Sequence, residues 1–120
     1  MAEHAGYHEP LEQLSAATME RHRAIVSLME ELEAIDWYTQ RAQAANDPEL
    51  AAILVHNRDE EKEHAAMALE WLRRRDAMLD QHLRTYLFTS GSILEREAAA
   101  EASGASPGAG SLGIGDLRGT

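Results

Sequence analysis

Cysteine is absent from the 120 residues of this sequence. Disulfide bonds, thiolate metal sites and cysteine nucleophiles are therefore excluded, and any bound metal must take oxygen and imidazole ligands. No apolar run approaches the roughly 18 residues that a membrane-spanning helix needs, and the N-terminus lacks the basic and then apolar layout of a secretory signal. These absences predict a cytoplasmic protein without a membrane partner.

Basic residues are also scarce, since 11 Lys and Arg stand against 21 Asp and Glu, for a formal charge of -10. Nucleic acid is therefore not an expected partner. The acidic surplus suits a surface that gathers cations, and it equally suits a soluble protein whose copies repel one another.

Glycine and proline are missing from Leu11 to Ala44. Apolar or half-apolar residues recur there at helical spacing, which predicts one long helix: Leu11, Leu14, Thr18, Ile25, Leu28, Leu32 and Ile35. Asn46 to Glu49 then provide a stop, an N-cap, a proline at the first helical position and an acid in the first turn. A second long helix is predicted after this tight turn.

The second helix carries a stripe from Leu50 to Leu72, and the apolar pattern resumes from Met78 to Leu87. Between them, Arg73 to Asp76 mark either a break or a solvated turn of helix. The prediction is an all-α fold, an antiparallel two-helix hairpin with a short C-terminal helix, over residues 1–90. Such a hairpin cannot enclose its own apolar surface.

The composition changes past Thr89 to Ser, Gly, Ala and Glu. Residues 91–110 are predicted to be a flexible linker, with an Ala-rich patch near Glu95 to Ala102 that favours a weak helix. Large apolar residues return in 111–120, where no core is available to bury them. This segment is interpreted as a docking peptide, and the alternative is an inert tail.

Glu61 and His64 stand three residues apart, so both project from one face of the second helix. That face is the predicted buried one, where an unpaired carboxylate and imidazole would cost several kcal/mol. A satisfied core histidine is the alternative, but the neighbouring acid favours a metal site.

Di-iron carboxylate bundles use one Glu from each of two helices and Glu-x-x-His from each of two others. One Glu-x-x-His and two long helices make half of such a site. A twofold dimer would supply the other half and cover the apolar stripes. Iron is the metal that this ligand set suits best.

The remaining glutamate must come from Glu30, Glu31 or Glu33. On a helical wheel Glu31 lies in line with Leu28, Ile35 and Tyr38, so Glu31 is the predicted ligand. A solvated acidic face is the alternative reading of Glu30 and Glu33. Tyr38 is either a core residue or a phenol that hydrogen-bonds a ligand or donates an electron.

Three stretches resemble the encapsulated ferritins. They are His22 to Tyr38, His56 to Arg74 and Leu83 to Phe88, which are similar to the three helices of that family. The resemblance covers nearly the whole chain and is more specific than Glu-x-x-His alone.

The resemblance implies that Glu31, Glu61 and His64 are ferroxidase ligands at a di-iron centre shared by two subunits, with Tyr38 beside them. Glu30 and Glu33 match the family's acidic entry site, which binds Ca²⁺ or other divalent cations before they reach the di-iron centre. An annular decamer is implied, housed in the lumen of an encapsulin nanocompartment. The tail resembles the family's shell-docking peptide, although Asp116 stands where a serine is more usual: Leu112, Gly113, Ile114, Gly115, Asp116, Leu117 and Arg118.

The predicted function is therefore ferroxidase activity, Fe²⁺ to Fe³⁺, that supplies iron for mineral storage inside the shell. One alternative is a di-iron peroxidase for defence against oxidative stress. Another is a non-catalytic helical adaptor in which Glu61 and His64 hold a structural metal.

Overall fold

A computed structural model describes residues 6–104. A 3₁₀ turn at Leu11–Gln13 precedes four helices, α1 at Ala16–Ala44, α2 at Pro48–Arg74, α3 at Ala77–Tyr86 and α4 at Ile93–Ala102. No strand occurs within the described range, so the all-α prediction is confirmed. The chain divides into two units between Trp71 and Leu72.

Helix α1 begins later than the apolar pattern predicts. The pattern starts a helix at Leu11, but Leu14 is extended and α1 starts at Ala16. The later start has a local cause. The Ser15 side chain accepts a 3.0 Å hydrogen bond from the Thr18 N–H and caps the helix. The preceding segment contacts α1 through Tyr7, whose ring centroid lies 4.2 Å from that of His22.

The predicted turn and N-cap of α2 are confirmed. The Asp47 carboxylate accepts a 2.9 Å hydrogen bond from the Leu50 N–H, and Pro48 is the first helical residue. One groove is lined by both helices, with Glu20 and Trp71 at the end far from the turn and Glu31 and His64 at the end nearer the turn. Residue numbers therefore decrease along one helix in the direction in which they increase along the other, so α1 and α2 are antiparallel.

Very little of the apolar surface is buried within one chain. Among residues 6–104, Ala65 and Leu72 are the only buried apolar side chains. Large apolar side chains remain exposed on both long helices: Ile25, Met29 and Leu32 on α1, and Leu50, Ile53 and Met67 on α2. The expectation that the hairpin cannot enclose its apolar surface is confirmed, and exposure of so many large apolar side chains is typical of a chain with an interaction surface.

The charged run Arg73 to Asp76 contains a break between two helices, which decides between the two alternatives that the sequence left open. Helix α2 ends at Arg74 and Asp76 caps α3, its side chain accepting a 3.0 Å hydrogen bond from the Leu79 N–H. The Asp80 carboxylate binds the guanidinium groups of both Arg73 and Arg84. These arginines hold the pKa of Asp80 below its usual value, so the carboxylate stays charged and ties α3 to the end of α2.

Helix α4 lies inside the segment 91–110 that the composition predicts to be a flexible linker. Ser92 caps it by accepting a 3.1 Å hydrogen bond from the Glu95 N–H. The Ala-rich sequence that follows has the highest helix propensity, which explains why this part of the predicted linker is helical. The predicted docking peptide at 111–120 lies outside the described residues. No helix within residues 6–104 combines the length and apolar character needed to cross a bilayer.

Candidate metal centre

The hairpin brings three predicted ligands together at mid-length. Glu31 lies in the middle of α1, and Glu61 and His64 lie one turn apart in the middle of α2. Each offers one ligand atom, and these atoms all lie within 4.8 Å of one another. Within residues 6–104 this is the only such cluster of three or more His, Asp or Glu side chains.

The contacts inside the triad leave one carboxylate oxygen without a hydrogen-bond partner. Nδ1 of His64 lies 3.5 Å from Oε1 of Glu61, an ion-pair distance. Oε1 of Glu31 is buried and has no hydrogen-bond partner. A buried acceptor without a partner costs about 1–3 kcal/mol, and more when it is charged. A metal ion between these groups would remove that cost.

The electrostatics of Glu31 support the same interpretation. Burial raises the pKa of the Glu31 carboxyl, and the negative charge of Glu61 raises it further. The charge of Glu30 adds to the rise, whereas His64 opposes it. A bound cation would stabilise the Glu31 carboxylate against both burial and repulsion. Protons therefore compete with metal at this position, and metal binding is expected to weaken as pH falls.

The donor set fits a borderline divalent ion. Two carboxylates and an imidazole are ligands that iron, zinc and manganese accept, and the chain contains no thiolate to favour a softer metal. Metal bonds to these donors are about 2.0–2.2 Å long. Small side-chain rotations therefore suffice to bring all three ligand atoms onto one ion. Three protein ligands also leave coordination positions open.

The triad is open on the side where apolar residues are exposed. The His64 side chain retains 42% of its accessible surface and that of Glu61 retains 26%. The sequence predicts a buried pair, but one chain by itself leaves the pair half-exposed. The reason is that His64 shares its helical line with Ile53 and Met67, which are themselves exposed at 51% and 58%.

A groove of about 540 Å³ runs along the hairpin from the triad. Its lining is mixed, with charged residues at both ends and small or apolar residues between: Glu20, Arg23, Ala24, Ser27, Glu31, His64, Met67, Ala68 and Trp71. The Arg23 guanidinium donates a 2.9 Å hydrogen bond to the Glu20 carboxylate at the end far from the triad. Glu31 and His64 are therefore part of the lining of a solvent-open groove.

The other predicted site residues lie outside the triad. Glu30 is exposed and Glu33 is half-buried, and neither contributes a ligand atom to the cluster. Tyr38 is half-buried and lies seven residues beyond Glu31, about 10 Å along the helix. The role of Tyr38 beside the metal stays a prediction.

Arg41 contacts the rings of Tyr38 and Trp37, a contact that the sequence did not predict. The guanidinium carbon of Arg41 lies 5.3 Å from the Tyr38 ring centroid and 6.0 Å from that of Trp37. The spacing of three and four residues was the available signal, because such pairs are neighbours on a helix surface. Trp37 is itself 44% exposed.

Comparison with known proteins agrees with this fold. The chain is 64% identical to the encapsulated ferritin-like protein of Rhodospirillum rubrum, over 93% of this chain and 87% of that protein. It is 37% identical to the encapsulin nanocompartment cargo protein EncC of Myxococcus xanthus, over 64% and 63% of the two chains.

A solved structure from Nitrosomonas europaea superposes with a TM-score of 0.72 at 61% identity, covering 73% of this chain and 97% of that one. The sequence model of the EncFtn-like family matches residues 6–90, which contain all three ligands of the triad. This chain therefore belongs to the EncFtn-like family.

Proposed function

We propose that this protein is a ferroxidase whose di-iron site forms when two copies of the chain pair. The observation that carries the proposal is the half-site in one chain. Glu31, Glu61 and His64 converge there, and Oε1 of Glu31 is buried without a partner. The acids would bind Fe²⁺, which is the substrate, and the ferric product would have to leave for the site to turn over.

Pairing would complete the site by symmetry. An isologous interface duplicates every ligand about its axis, so two triads would supply four carboxylates and two imidazoles. On α2 the exposed residues Ile53 and Met67 lie on the helical line of His64. A copy that covers this line would also cover the open side of the triad. One interface would then bury apolar surface and enclose the metal.

The protein residues favour oxidation through charge. Carboxylates stabilise Fe³⁺ more than Fe²⁺ because the interaction grows with the charge of the ion. Glu31 and Glu61 thus lower the free energy of the oxidised state, and His64 fixes the position of an ion without adding negative charge. Two Fe²⁺ ions lose one electron each, and O₂ accepts both with two protons to give H₂O₂. With peroxide as oxidant, H₂O₂ accepts two electrons and two protons to give two waters.

The first test is metal stoichiometry. Native mass spectrometry of the metal-free protein titrated with Fe²⁺ under nitrogen is expected to show two irons per pair of chains, and admission of air should then produce Fe³⁺. Unpaired single chains that each bind one iron would contradict the shared site. Paired chains that bind iron but do not turn over excess Fe²⁺ would instead indicate a structural metal. Iron deposited per oxidant consumed separates a storage ferroxidase from a peroxidase.

We also propose that the protein is cargo of an encapsulin shell and works as an annular decamer in its lumen. Support comes from the names of two relatives, one encapsulated and one a nanocompartment cargo protein. Leu112 to Arg118 would bind the inner wall, with Leu112, Ile114 and Leu117 as apolar anchors. Glu30 and Glu33 would bind cations before these reach the di-iron site.

Truncation after Gly110 tests the docking segment. The shortened chain, co-produced with an encapsulin shell, is expected to be lost from purified shells because its apolar anchors are gone. The full chain should co-purify, and both should oxidise Fe²⁺ equally in the absence of shell. Equal loading of the two chains would contradict the assignment. Negative-stain microscopy of the free protein checks for rings.

A further inference from the structure

Arg41 lies over both aromatic rings that follow the acidic part of α1. Its guanidinium carbon is 5.3 Å from the Tyr38 centroid and 6.0 Å from the Trp37 centroid. These distances fall within the range in which a cation interacts with the face of an aromatic ring. The iron site does not require this contact, and packing does not explain it, because Arg41 and Trp37 are both exposed.

The cation opposes loss of an electron from either ring. A neutral ring presents a negative face that attracts a guanidinium group. A ring that has lost an electron is positively charged and is repelled by the same group. Arg41 therefore makes the oxidised ring less stable relative to the neutral one, and it raises the reduction potential of both side chains.

The surroundings would otherwise favour ring oxidation. Between Ala24 and Ala44 the chain contains four acids and a single basic residue, Arg41. The acids precede the rings on the same helix: Glu30, Glu31, Glu33 and Asp36. Their negative charge would stabilise a positively charged ring. Arg41 is the only cation in that span that offsets them.

We propose that Arg41 protects Trp37 and Tyr38 from oxidation by the peroxide that iron oxidation produces. This inference rests on the proposed ferroxidase function for the source of peroxide, but the electrostatic effect of Arg41 does not. In the reaction that is suppressed, two rings lose one electron each, and one H₂O₂ accepts both electrons and two protons to give two waters. Electrons for the oxidant then come from Fe²⁺ and not from the protein.

The test measures ring oxidation in full-length protein without metal. Arg41→Gln, Arg41→Met and Arg41→Lys are exposed to the one-electron oxidant hexachloroiridate(IV), and peptide mass spectrometry quantifies oxidised Trp37 and Tyr38. The chain has two tryptophans, so Trp71 in the same molecule normalises the dose of oxidant. The variant Arg58→Gln removes one positive charge from α2 and serves as the matched control. Circular dichroism verifies the helix content of each variant.

We expect the two neutral variants to raise oxidation of Trp37 relative to Trp71 by about two- to fivefold, which corresponds to the cation–π attraction at an exposed site. Arg41→Lys and Arg58→Gln should stay near the parent ratio. An unchanged ratio in folded Arg41→Met or Arg41→Gln would overturn the proposal. An equal rise in Arg41→Lys would overturn its electrostatic basis.

A second arm adds Fe²⁺ in repeated aerobic doses and maps oxidised residues after each dose. The neutral variants should accumulate oxidised Trp37 and Tyr38 faster than the parent. If ring oxidation by hexachloroiridate rises as expected but Fe²⁺ is not oxidised, the ferroxidase proposal fails and the charge effect of Arg41 stands. If Fe²⁺ is oxidised and the variants match the parent in both arms, only the role of Arg41 fails.

Discussion

Fe²⁺-dependent oxygen uptake is expected to fall more than about 100-fold when Glu61 or His64 is replaced by alanine. Loss of a residue that merely orients a metal ligand costs about 10–100-fold, and each of these substitutions removes a ligand itself. In a symmetric pair every substitution acts twice, because both half-sites lose the same group. An oxygen electrode with anaerobically loaded Fe²⁺ measures the rate.

The same helix offers close controls for this experiment. Glu63 is an exposed acid beside His64, and His56 is an exposed histidine two turns away; neither belongs to the triad. Glu63→Ala and His56→Ala should retain the parent rate. If Glu61→Ala and His64→Ala keep that rate as well, the proposed centre is not where iron is oxidised. Equal losses in all four variants would indicate a general effect of substitution on α2.

The backbone of the site was predictable because its signals are local. Helical spacing placed Glu61 and His64 on one face, and the Asp47-Pro48 start of α2 fixed where the chain reverses. Those two facts determine which part of α1 lies opposite the pair. The helical wheel then favoured Glu31 over Glu30 and Glu33, and the structure brings Glu31 to the pair.

Exposure was harder to predict because it depends on more than one chain. Apolar periodicity shows which face of a helix is to be covered, but it does not show what covers it. Glu61 and His64 were placed on a buried face, and the single hairpin leaves them half-exposed beside Met67 and Ile53. The pattern and the structure agree if the cover is a second hairpin.

Element boundaries failed where a short polar signal outweighed the apolar pattern. The hydroxyl of Ser15 caps α1, which starts at Ala16, five residues after Leu11. The hydroxyl of Ser92 caps α4, which starts at Ile93, two residues before the Ala-rich patch that favoured a weak helix. The contact of Arg41 with two aromatic rings could not be predicted for another reason. An arginine near two aromatic residues is common on helix surfaces, and only side-chain positions show that it lies over both rings.

Ile53→Asp should dissociate the pair and remove the iron site without touching a ligand. Ile53 is 51% exposed in the single chain and lies eight residues from Glu61, about 12 Å along α2. Burying an unpaired carboxylate in an apolar interface costs several kcal/mol, and twofold symmetry brings two such charges to the interface. Sedimentation is expected to show monomers, and Fe²⁺ titration is expected to show loss of tight binding.

Ala52→Asp is the matched control, because it adds the same charge one residue away. Ala52 is exposed and shares its helical line with His56, Asp59 and Glu63, so this face already carries charged and polar side chains. The control should keep its oligomeric state and its iron. An Ile53→Asp monomer that still binds iron with parent affinity would show that one triad suffices. Loss of iron together with loss of pairing, in a protein whose ligands are all intact, would instead show that the second copy completes the site.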